Sequence, residues 1–420
     1  MKLYQPSLIF ISVFFVAIYL LFDVNCRIFE ALPGYGNCSK NDSVLHLIFI
    51  YVVSILLVVG MNRNAKTHLV LFHIIALHVI PILVATIFTE ISKSYFELMI
   101  FIICIFLSMS LIKFTQGLNY KKYFFQRLSI KNYLITFLFL TIIFLALMYL
   151  YFGFSLSAPN ISSVYETREN FKLLLESSGT RIAGYVILIS GFAIAPFGVL
   201  LFLRYHNRYL CISLINLLAS LVLCWMCYSV SGFKSVVFNI LLTSIIYLYF
   251  KNKNVTVSTY FGLWLLLFGV GALSFILQVS DIMLIHWIRR SFITPAMNVL
   301  FYFDFYGYDS WGKGGIAPKE IMQVYYADSG SANAGLYGNA MAQYGLLGLI
   351  INPAILLIYM LTLEILGKGL DRVFIGAALT PFCYAISNSA LSTGLISYGG
   401  FLILLLVVFS PINHEIDNYK

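Results

Sequence analysis

The chain has 420 residues, of which 61% are hydrophobic and 10% carry a charged side chain, and its formal net charge is +9. Its mean hydropathy of +0.91 excludes an ordinary soluble domain, which would cover its surface with many more charged side chains. Runs of about 20 apolar residues can cross the roughly 30 Å hydrocarbon layer of a bilayer. The sequence therefore predicts an all-α, polytopic integral membrane protein with a single transmembrane domain over residues 1–420.

Hydropathy predicts about twelve membrane-spanning helices. In chain order they lie near 7–23, 45–60, 68–88, 96–112, 133–152, 182–203, 209–229, 235–250, 258–279, 338–362, 373–390 and 395–411. Three connections are long, at 24–44, 153–181 and 280–337. The last of these lies between spans nine and ten.

The distribution of basic residues predicts the orientation. The short connections "MNRNAKT", "KFTQGLNYKKYFFQRLSIKN", "RYHNR", "KNKN" and "GKGLDR" each contain two or more Lys or Arg residues. The short connections of opposite parity, "TEISKSY", "SGFKS" and "SNSALST", contain at most one. Because cytoplasmic loops are enriched in Lys and Arg, we expect the first set and both termini to be cytoplasmic. The positive charge thus reflects topology, and nothing in the sequence indicates a nucleic-acid partner.

Five of the seven cysteines fall within spans and are expected to be small apolar core residues. Cys26 and Cys38 share the first outside connection. They are predicted either to form a disulfide, if the compartment is oxidising, or to stay as two free thiols. His68, His73 and His78 are spaced by five residues, so they do not share one helix face, and we expect polar core residues there.

The outside connections at 153–181 and 280–337 contain most of the outside charge, so any chemistry is predicted at the outer membrane face. The segment "SDIMLIHWIRRSFITPAMNVLFYFDFYG" has the composition of an interfacial helix. His286, Glu320 and Asp328 are the candidate general bases. Side chains of this kind in an outside loop are more often ordinary solvated residues, and that alternative is open for all three.

The stretch "SANAGLYGNAMAQYGLLG" joins this outside loop to the tenth span. Gly338, Ala342, Gly345 and Gly348 would form one smooth strip along a helix, which lets a neighbouring helix approach closely. Ser331 or Asn333 is predicted to cap the start of that helix. Tight packing alone, and tight packing combined with a ligand site at the helix start, are both open.

Four basic side chains could bind phosphate groups at the outer face. Arg289 and Arg290 adjoin, and because neighbouring helical positions point about 100° apart, one of them is expected to face a site. A guanidinium matches phosphate oxygens in a bidentate manner, although interfacial Arg also snorkels to lipid headgroups. Arg168 could be a second phosphate ligand or a surface charge. Lys234 could contact the leaving group or be an ordinary interfacial Lys.

Four segments occur in a familiar order: "SVYETREN", "SGFKS", "RRSFITPAMNVLFYFDF" and "SANAGLYGNAMAQYGLLG". Together they resemble the oligosaccharide repeat-unit polymerases of the O-antigen polymerase (Wzy) type, over roughly residues 160–350. In that resemblance Arg168 matches the arginine of a "vYexR" motif, Arg290 that of an "RxxxxP" motif, and Lys234 lies in the "GxKS" hairpin. Asn339 stands where such sequences often have an acidic residue, so it could orient a hydroxyl but could not accept a proton.

The resemblance implies a GT-C-like fold and a metal-independent glycosyltransferase of the bacterial inner membrane. It implies no cofactor, substrates linked to undecaprenyl diphosphate, transfer at the periplasmic face, and a chain-length regulator as a further partner beside membrane lipids. Arg168, Arg289, Arg290 and Lys234 would then hold diphosphates, and Tyr165, Asn333 and Asn339 would contact glycan. The alternatives are a ligase with another acceptor, a flippase or exporter of lipid-linked glycans, and a membrane scaffold without catalysis.

Overall fold

A computed structural model describes residues 5–28, 43–59, 61, 65–116, 118, 127–153, 164–177, 181–277, 282–307, 311–313, 316–328 and 330–412. Within these ranges the chain is helical and contains no β-strand, so the predicted all-α class is confirmed. The helices are α1 (Gln5–Ile28), α2 (Val44–Val58), α3 (His68–Phe88), α4 (Tyr95–Thr115), α5 (Ile130–Phe152), α6 (Val164–Ser177), α7 (181–205), α8 (Leu210–Ser231), α9 (Lys234–Phe250), α10 (Val257–Ile276), α11 (282–306), α12 (Ala317–Tyr326), α13 (Gly338–Tyr344), α14 (Gly348–Leu366), α15 (Arg372–Asn388), α16 (Leu391–Leu395) and α17 (Gly400–Val408).

In the described part of the chain, eight stretches of helix are long and apolar enough to cross a membrane. They coincide with predicted spans one, three to seven, nine and ten. Spans two and eight correspond to the shorter apolar helices α2 and α9, and span eleven to α15, which has 17 residues. Predicted span twelve, at 395–411, is represented by the shorter α17, which begins only after Gly399; this glycine adopts a φ of +74° that helical L-residues avoid and separates α17 from α16.

The exposed side of helix α1 shows why these helices require an apolar solvent. Its exposed side chains include Ile9, Val13, Val16 and Leu20, which recur every three or four residues. The opposite face, with Ile11, Phe14 and Ile18, is buried. A continuous apolar stripe of this kind is rare on a soluble monomer and is expected of a helix that faces lipid.

Three π-helical segments interrupt the α-helices, at Ile75–Val79, Ser190–Ile194 and Ile282–Ile293. In each case the α-helix that follows has proline as its second residue: Pro81, Pro196 or Pro295. Proline lacks an N–H, and its ring clashes with the carbonyl four residues earlier. The wider π turn accommodates that carbonyl, so each widening can be traced to a proline in the sequence.

The chain folds into two compact units. Unit 1 comprises 1–119, 254–361 and 383–391, and unit 2 comprises 120–253, 362–382 and 392–420. In unit 1, every residue of α3 is buried. The three predicted core histidines of this helix are therefore confirmed as buried. The Nδ1 atom of His73 lies 2.7 Å from the hydroxyl of Tyr260, so one buried polar pair is satisfied.

In unit 2, most residues of helix α7 are buried. Helix α8 crosses it closely, since a Cβ atom at Gly198 would lie 1.9 Å from Ser220 Oγ. Helix α8 is also tied to α5, because Asn216 Nδ2 donates to Leu134 O at 3.1 Å. Small side chains and one buried amide thus hold these helices together, as is common between membrane helices.

Helix ends that the charge pattern assigns to the same membrane side meet within unit 1. On the predicted inner side, Lys113 Nζ donates to Leu56 O at 2.9 Å, and Gln116 Nε2 donates to Thr67 Oγ1 at 3.2 Å. On the predicted outer side, the Ser92 hydroxyl donates to Asp304 at 2.6 Å. In these three contacts, each chain segment meets one that the charge pattern assigns to the same side.

The described cysteines follow the sequence analysis only in part: Cys224, Cys227 and Cys383 are buried as expected, whereas Cys104 is half-buried and Cys211 is exposed, so these two are not core residues. Cys26 takes part in a disulfide, while Cys38, its predicted partner, lies outside the described residues. Within the described part, five cysteines are free: Cys104, Cys211, Cys224, Cys227 and Cys383.

Candidate functional site

The predicted outer end of unit 2 brings two of the motif segments into contact. Arg168, on α6, is half-buried, and its Nε donates to the carbonyl of Gly232 at 3.2 Å. Gly232 ends α8, whose last carbonyls carry partial negative charge and favour a neighbouring cation. The guanidinium carbon also lies 5.7 Å from the ring centroid of Phe233. Arg168 is therefore fixed against the hairpin between α8 and α9.

Lys234 follows that hairpin directly and is the first residue of α9. Its side chain is exposed. The turn before it is tight, because Ser231 Oγ accepts a hydrogen bond from Phe233 N at 3.2 Å. Two cationic side chains thus lie next to one short, hydrogen-bonded turn, an arrangement that suits an anionic ligand.

In unit 1, the other two motif segments pack against each other. Asn298, on α11, donates from Nδ2 to Asn333 O at 2.8 Å, and its Oδ1 accepts from the hydroxyl of Tyr326 at 2.6 Å. The hydroxyl of Tyr302 donates to Ala332 O at 3.0 Å. Because Asn298, Tyr302 and Tyr326 are buried, these bonds satisfy polar groups that water does not reach.

The small residues of "SANAGLYGNAMAQYGLLG" permit close backbone approach, as predicted. A Cβ atom at Gly335 would lie 2.3 Å from Ile386 O, and one at Gly348 would lie 2.1 Å from Ala340 O. The predicted strip along one helix is wrong, however, because α13 ends at Gly345, which has a φ of +57°. Helix α14 begins three residues later.

Ser331 and Asn333 do not cap the helix as expected. Helix α13 begins at Gly338 after Tyr337, with no side-chain cap. Ser331 Oγ instead donates to the Asn333 side chain at 3.4 Å, and both residues are exposed. Asn333 is thus available to a ligand as predicted for glycan binding, whereas Asn339 is buried with its amide donating to Ala334 O, which favours a packing role.

The candidate bases lie in three different environments. Glu320, in the first turn of α12, is half-buried and accepts a hydrogen bond from the Tyr306 hydroxyl. Asp328 is exposed and follows Ala327, which has a positive φ of 52°. His286 lies within α11, but its side chain is outside the described part of the structure. The Glu320 carboxylate is thus oriented by a neighbouring tyrosine.

Tyr306 and Tyr325 are functional candidates that the sequence analysis did not identify. Each donates a hydrogen bond to a carboxylate. Tyr325 donates to Asp304 Oδ2 at 2.6 Å, while Ser92 donates to Asp304 Oδ1 from both its backbone N and its hydroxyl, each at 2.6 Å. The pKa of Tyr306 is raised by burial and then by its hydrogen bond to Glu320. The pKa of Tyr325 is raised by burial and then by its hydrogen bond to Asp304. Both phenols therefore remain protonated donors. Their spacing from the carboxylates gives no local sequence signal.

The remaining predicted ligands are distributed along α11 and α6. Arg289 is half-buried and Arg290 is exposed, in keeping with the prediction that adjacent positions point in different directions. The two arginines lie in the π-helical part of α11, between the buried residues Ile288 and Ser291. The side chain of Tyr165 lies outside the described residues.

An apolar groove of about 310 Å³ runs between α4 and α14 in unit 1. Beside its floor, the hydroxyls of Ser108 and Tyr337 lie 3.0 Å apart. The groove lies along α4 and α14, and its lining includes none of the candidate general bases. Its lining consists of Cys104, Leu107, Ser108, Leu111, Ile112, Leu349, Ile350, Pro353, Ala354 and Leu357.

Within the described ranges, no group of three or more His, Cys, Asp or Glu side chains is positioned to hold a metal ion. Comparison of the chain with protein-family models, curated proteins and solved structures found no match.

Proposed function

We propose that this protein is an integral-membrane glycosyltransferase that polymerises oligosaccharide repeat units. Its substrates are glycans linked to undecaprenyl diphosphate, and transfer takes place at the periplasmic face of the bacterial inner membrane. The proposal includes twelve spans of a GT-C-like arrangement with both termini in the cytoplasm. The membrane-length apolar helices support the membrane location.

The contact between Arg168 and Gly232 is the observation on which the proposal chiefly rests. The two residues are 64 positions apart in the chain, yet the hydrogen bond joins the "SVYETREN" and "SGFKS" segments. The segments that contain Asn298 and Asn333 are joined in the same way. In the sequence these motifs are related only by their order, but in the structure they meet in pairs. Such contacts are expected if the motifs form functional structures.

In the proposed reaction, a sugar hydroxyl of the incoming repeat unit attacks the anomeric carbon of the growing chain. The bond from that carbon to the lipid diphosphate breaks, and the diphosphate leaves as an anion. Positive charge for the lipid diphosphates comes from four basic side chains, so that no metal is required. These are Arg168, Lys234, Arg289 and Arg290. Such electrostatic stabilisation of a leaving group is often the largest single contribution to catalysis.

Glu320 is the base that we favour for accepting the hydroxyl proton. Its carboxylate is half-buried and is oriented by the hydroxyl of Tyr306, while its second oxygen can accept a proton. Tyr306 is then a positioning residue. Asn333, which is exposed in the segment that leads to α13, is the available glycan contact.

The test is to delete the gene and examine the surface glycan by gel electrophoresis. We expect the ladder of chain lengths to collapse to a single repeat unit. Complete loss of surface glycan would favour export or ligation over polymerisation, and an unchanged ladder would exclude all three.

Variants of the restored gene test the assigned residues. Arg168→Ala and Arg290→Ala are expected to shorten or abolish the ladder. Arg27→Ala is the matched control, because Arg27 is an exposed arginine outside the motifs that pairs with Asp23 at 2.8 Å. Full ladders from both motif variants, at normal protein levels, would contradict the phosphate-binding assignment.

A further inference from the structure

A second cationic cluster lies in unit 2, at the end that the charge pattern assigns to the cytoplasm. We call it the Arg127–Arg204 cluster; its members are Arg127, Arg204, Tyr205, Tyr247 and Asp371. Helices α5 and α15 begin near these residues, and α7 and α9 end near them. None of its members belongs to the segments on which the proposed polymerase function depends.

Arg127 is anchored through one of its nitrogens. Arg127 lies just before the start of α5, and its Nη2 donates to Leu366 O at 2.6 Å and to Lys368 O at 2.9 Å, at the end of α14. Its Nη1 is buried and forms no hydrogen bond within the described part of the chain. A buried guanidinium N–H without an acceptor is costly, so an additional acceptor at this position would stabilise the structure.

Arg204 adds a second positive charge at the same place. Its guanidinium carbon lies 4.0 Å from the ring centroid of Phe374 and 5.3 Å from that of Tyr205, so the aromatic rings support one planar guanidinium. Burial, and then the nearby Arg204, lower the pKa of Arg127. The two cations are therefore close enough to repel each other.

One described carboxylate belongs to the cluster, and it is already engaged. Asp371 Oδ1 accepts from Val373 N at 3.0 Å, which caps the start of α15. The described members of the cluster thus include two guanidinium groups and one carboxylate, which gives these members a net positive charge. The cluster lies at the start of the membrane-length helix α5 and at the end of the membrane-length helix α7. Basic pockets at the cytoplasmic side of membrane helices are suited to anionic headgroups.

We propose that the Arg127–Arg204 cluster binds a phosphate group. An anionic phospholipid of the cytoplasmic leaflet and free inorganic phosphate are the two sources of that chemistry. The planar guanidinium groups offer forked N–H donors that match phosphate oxygens. This site is independent of the glycosyl-transfer proposal, because it involves other residues at the opposite predicted membrane face.

The test uses the full chain, purified in neutral detergent and stripped of lipid. Binding of phosphatidylglycerol, phosphatidylcholine and inorganic phosphate is measured by native mass spectrometry and by the shift in unfolding temperature. Selective binding of phosphatidylglycerol would identify the lipid as the source of the phosphate group. Binding of inorganic phosphate without selective binding of phosphatidylglycerol would identify the free anion. Equal binding of phosphatidylglycerol and phosphatidylcholine, without any effect of phosphate, would overturn the proposal.

Matched variants locate the site. Arg127→Gln and Arg204→Gln are expected to weaken phosphate-dependent binding at least tenfold, whereas Lys253→Gln, an exposed lysine of the same end, should leave it unchanged. Asp371→Asn keeps a helix-capping side chain and removes the competing negative charge, so it should tighten binding. This gain provides a result even if the Arg variants fold poorly. Unchanged affinity in Asp371→Asn and in any folded Arg variant would refute the assignment.

Discussion

The carboxylate of Asp304 is predicted to hold the connection between α3 and α4 against α11. It accepts three hydrogen bonds at 2.6 Å: two from Ser92, and one from the hydroxyl of Tyr325. Asp304 and Ser92 are 212 positions apart in the chain, so this contact closes a very long loop. The isosteric change Asp304→Asn retains one acceptor oxygen and replaces the other by an N–H donor.

The expected cost follows from the number and type of these bonds. A hydrogen bond to a charged acceptor contributes about 1.5–3 kcal/mol, and partial exposure of Asp304 places each bond near the lower limit. The amide oxygen can still accept from Ser92, though without the charge, while its NH₂ group faces Tyr325. We therefore expect Asp304→Asn to lower the free energy of unfolding by about 2–4 kcal/mol and Tyr325→Phe by about 1.5 kcal/mol.

The assay is reversible unfolding of the purified protein in mixed detergent micelles, with the two single variants and the double variant. Because the two side chains form one bond, the double variant should be less destabilised than the sum of the single variants, by about 1 kcal/mol or more. Glu90→Gln is the control, since Glu90 is an exposed acid of the same connection; we expect a change within about 0.5 kcal/mol. Additive effects of Asp304→Asn and Tyr325→Phe would refute the reasoning.

Two further predictions concern packing inside unit 1. Gly335→Ala should destabilise the protein by about 1–3 kcal/mol, because its Cβ would lie 2.3 Å from a backbone carbonyl oxygen. The control is Gly269→Ala, whose Cβ would have no atom within 4 Å; it should be neutral or stabilising by up to about 1 kcal/mol. Equal effects of the two variants in thermal unfolding would contradict this prediction. Tyr260→Phe should cost about 1–3 kcal/mol by removing the buried partner of His73. Tyr249→Phe, at a half-buried position, should stay within about 0.5 kcal/mol, and similar losses in both tyrosine variants would count against a role for the His73 bond.

Local patterns predicted most of the helices correctly. The ends of α4 and α8 lie within a few residues of the predicted spans 96–112 and 209–229, because the length of an apolar run depends on composition alone. The same applies to the buried histidines of α3. Where local conformation competes with hydropathy the prediction failed, since Gly345 and Gly399 interrupt runs that remain apolar throughout.

The amino-acid sequence by itself determined the helical class, the positions of the long apolar helices and the segments whose order resembles a polymerase. Only the tertiary structure decided that Arg168 bonds to Gly232, that Tyr306 orients Glu320, and that Arg127 lies near Arg204. The physical reason is a difference in range. The preference of an apolar helix for hydrocarbon is summed over its own residues, whereas the partner of a polar side chain depends on which distant helix end packs beside it.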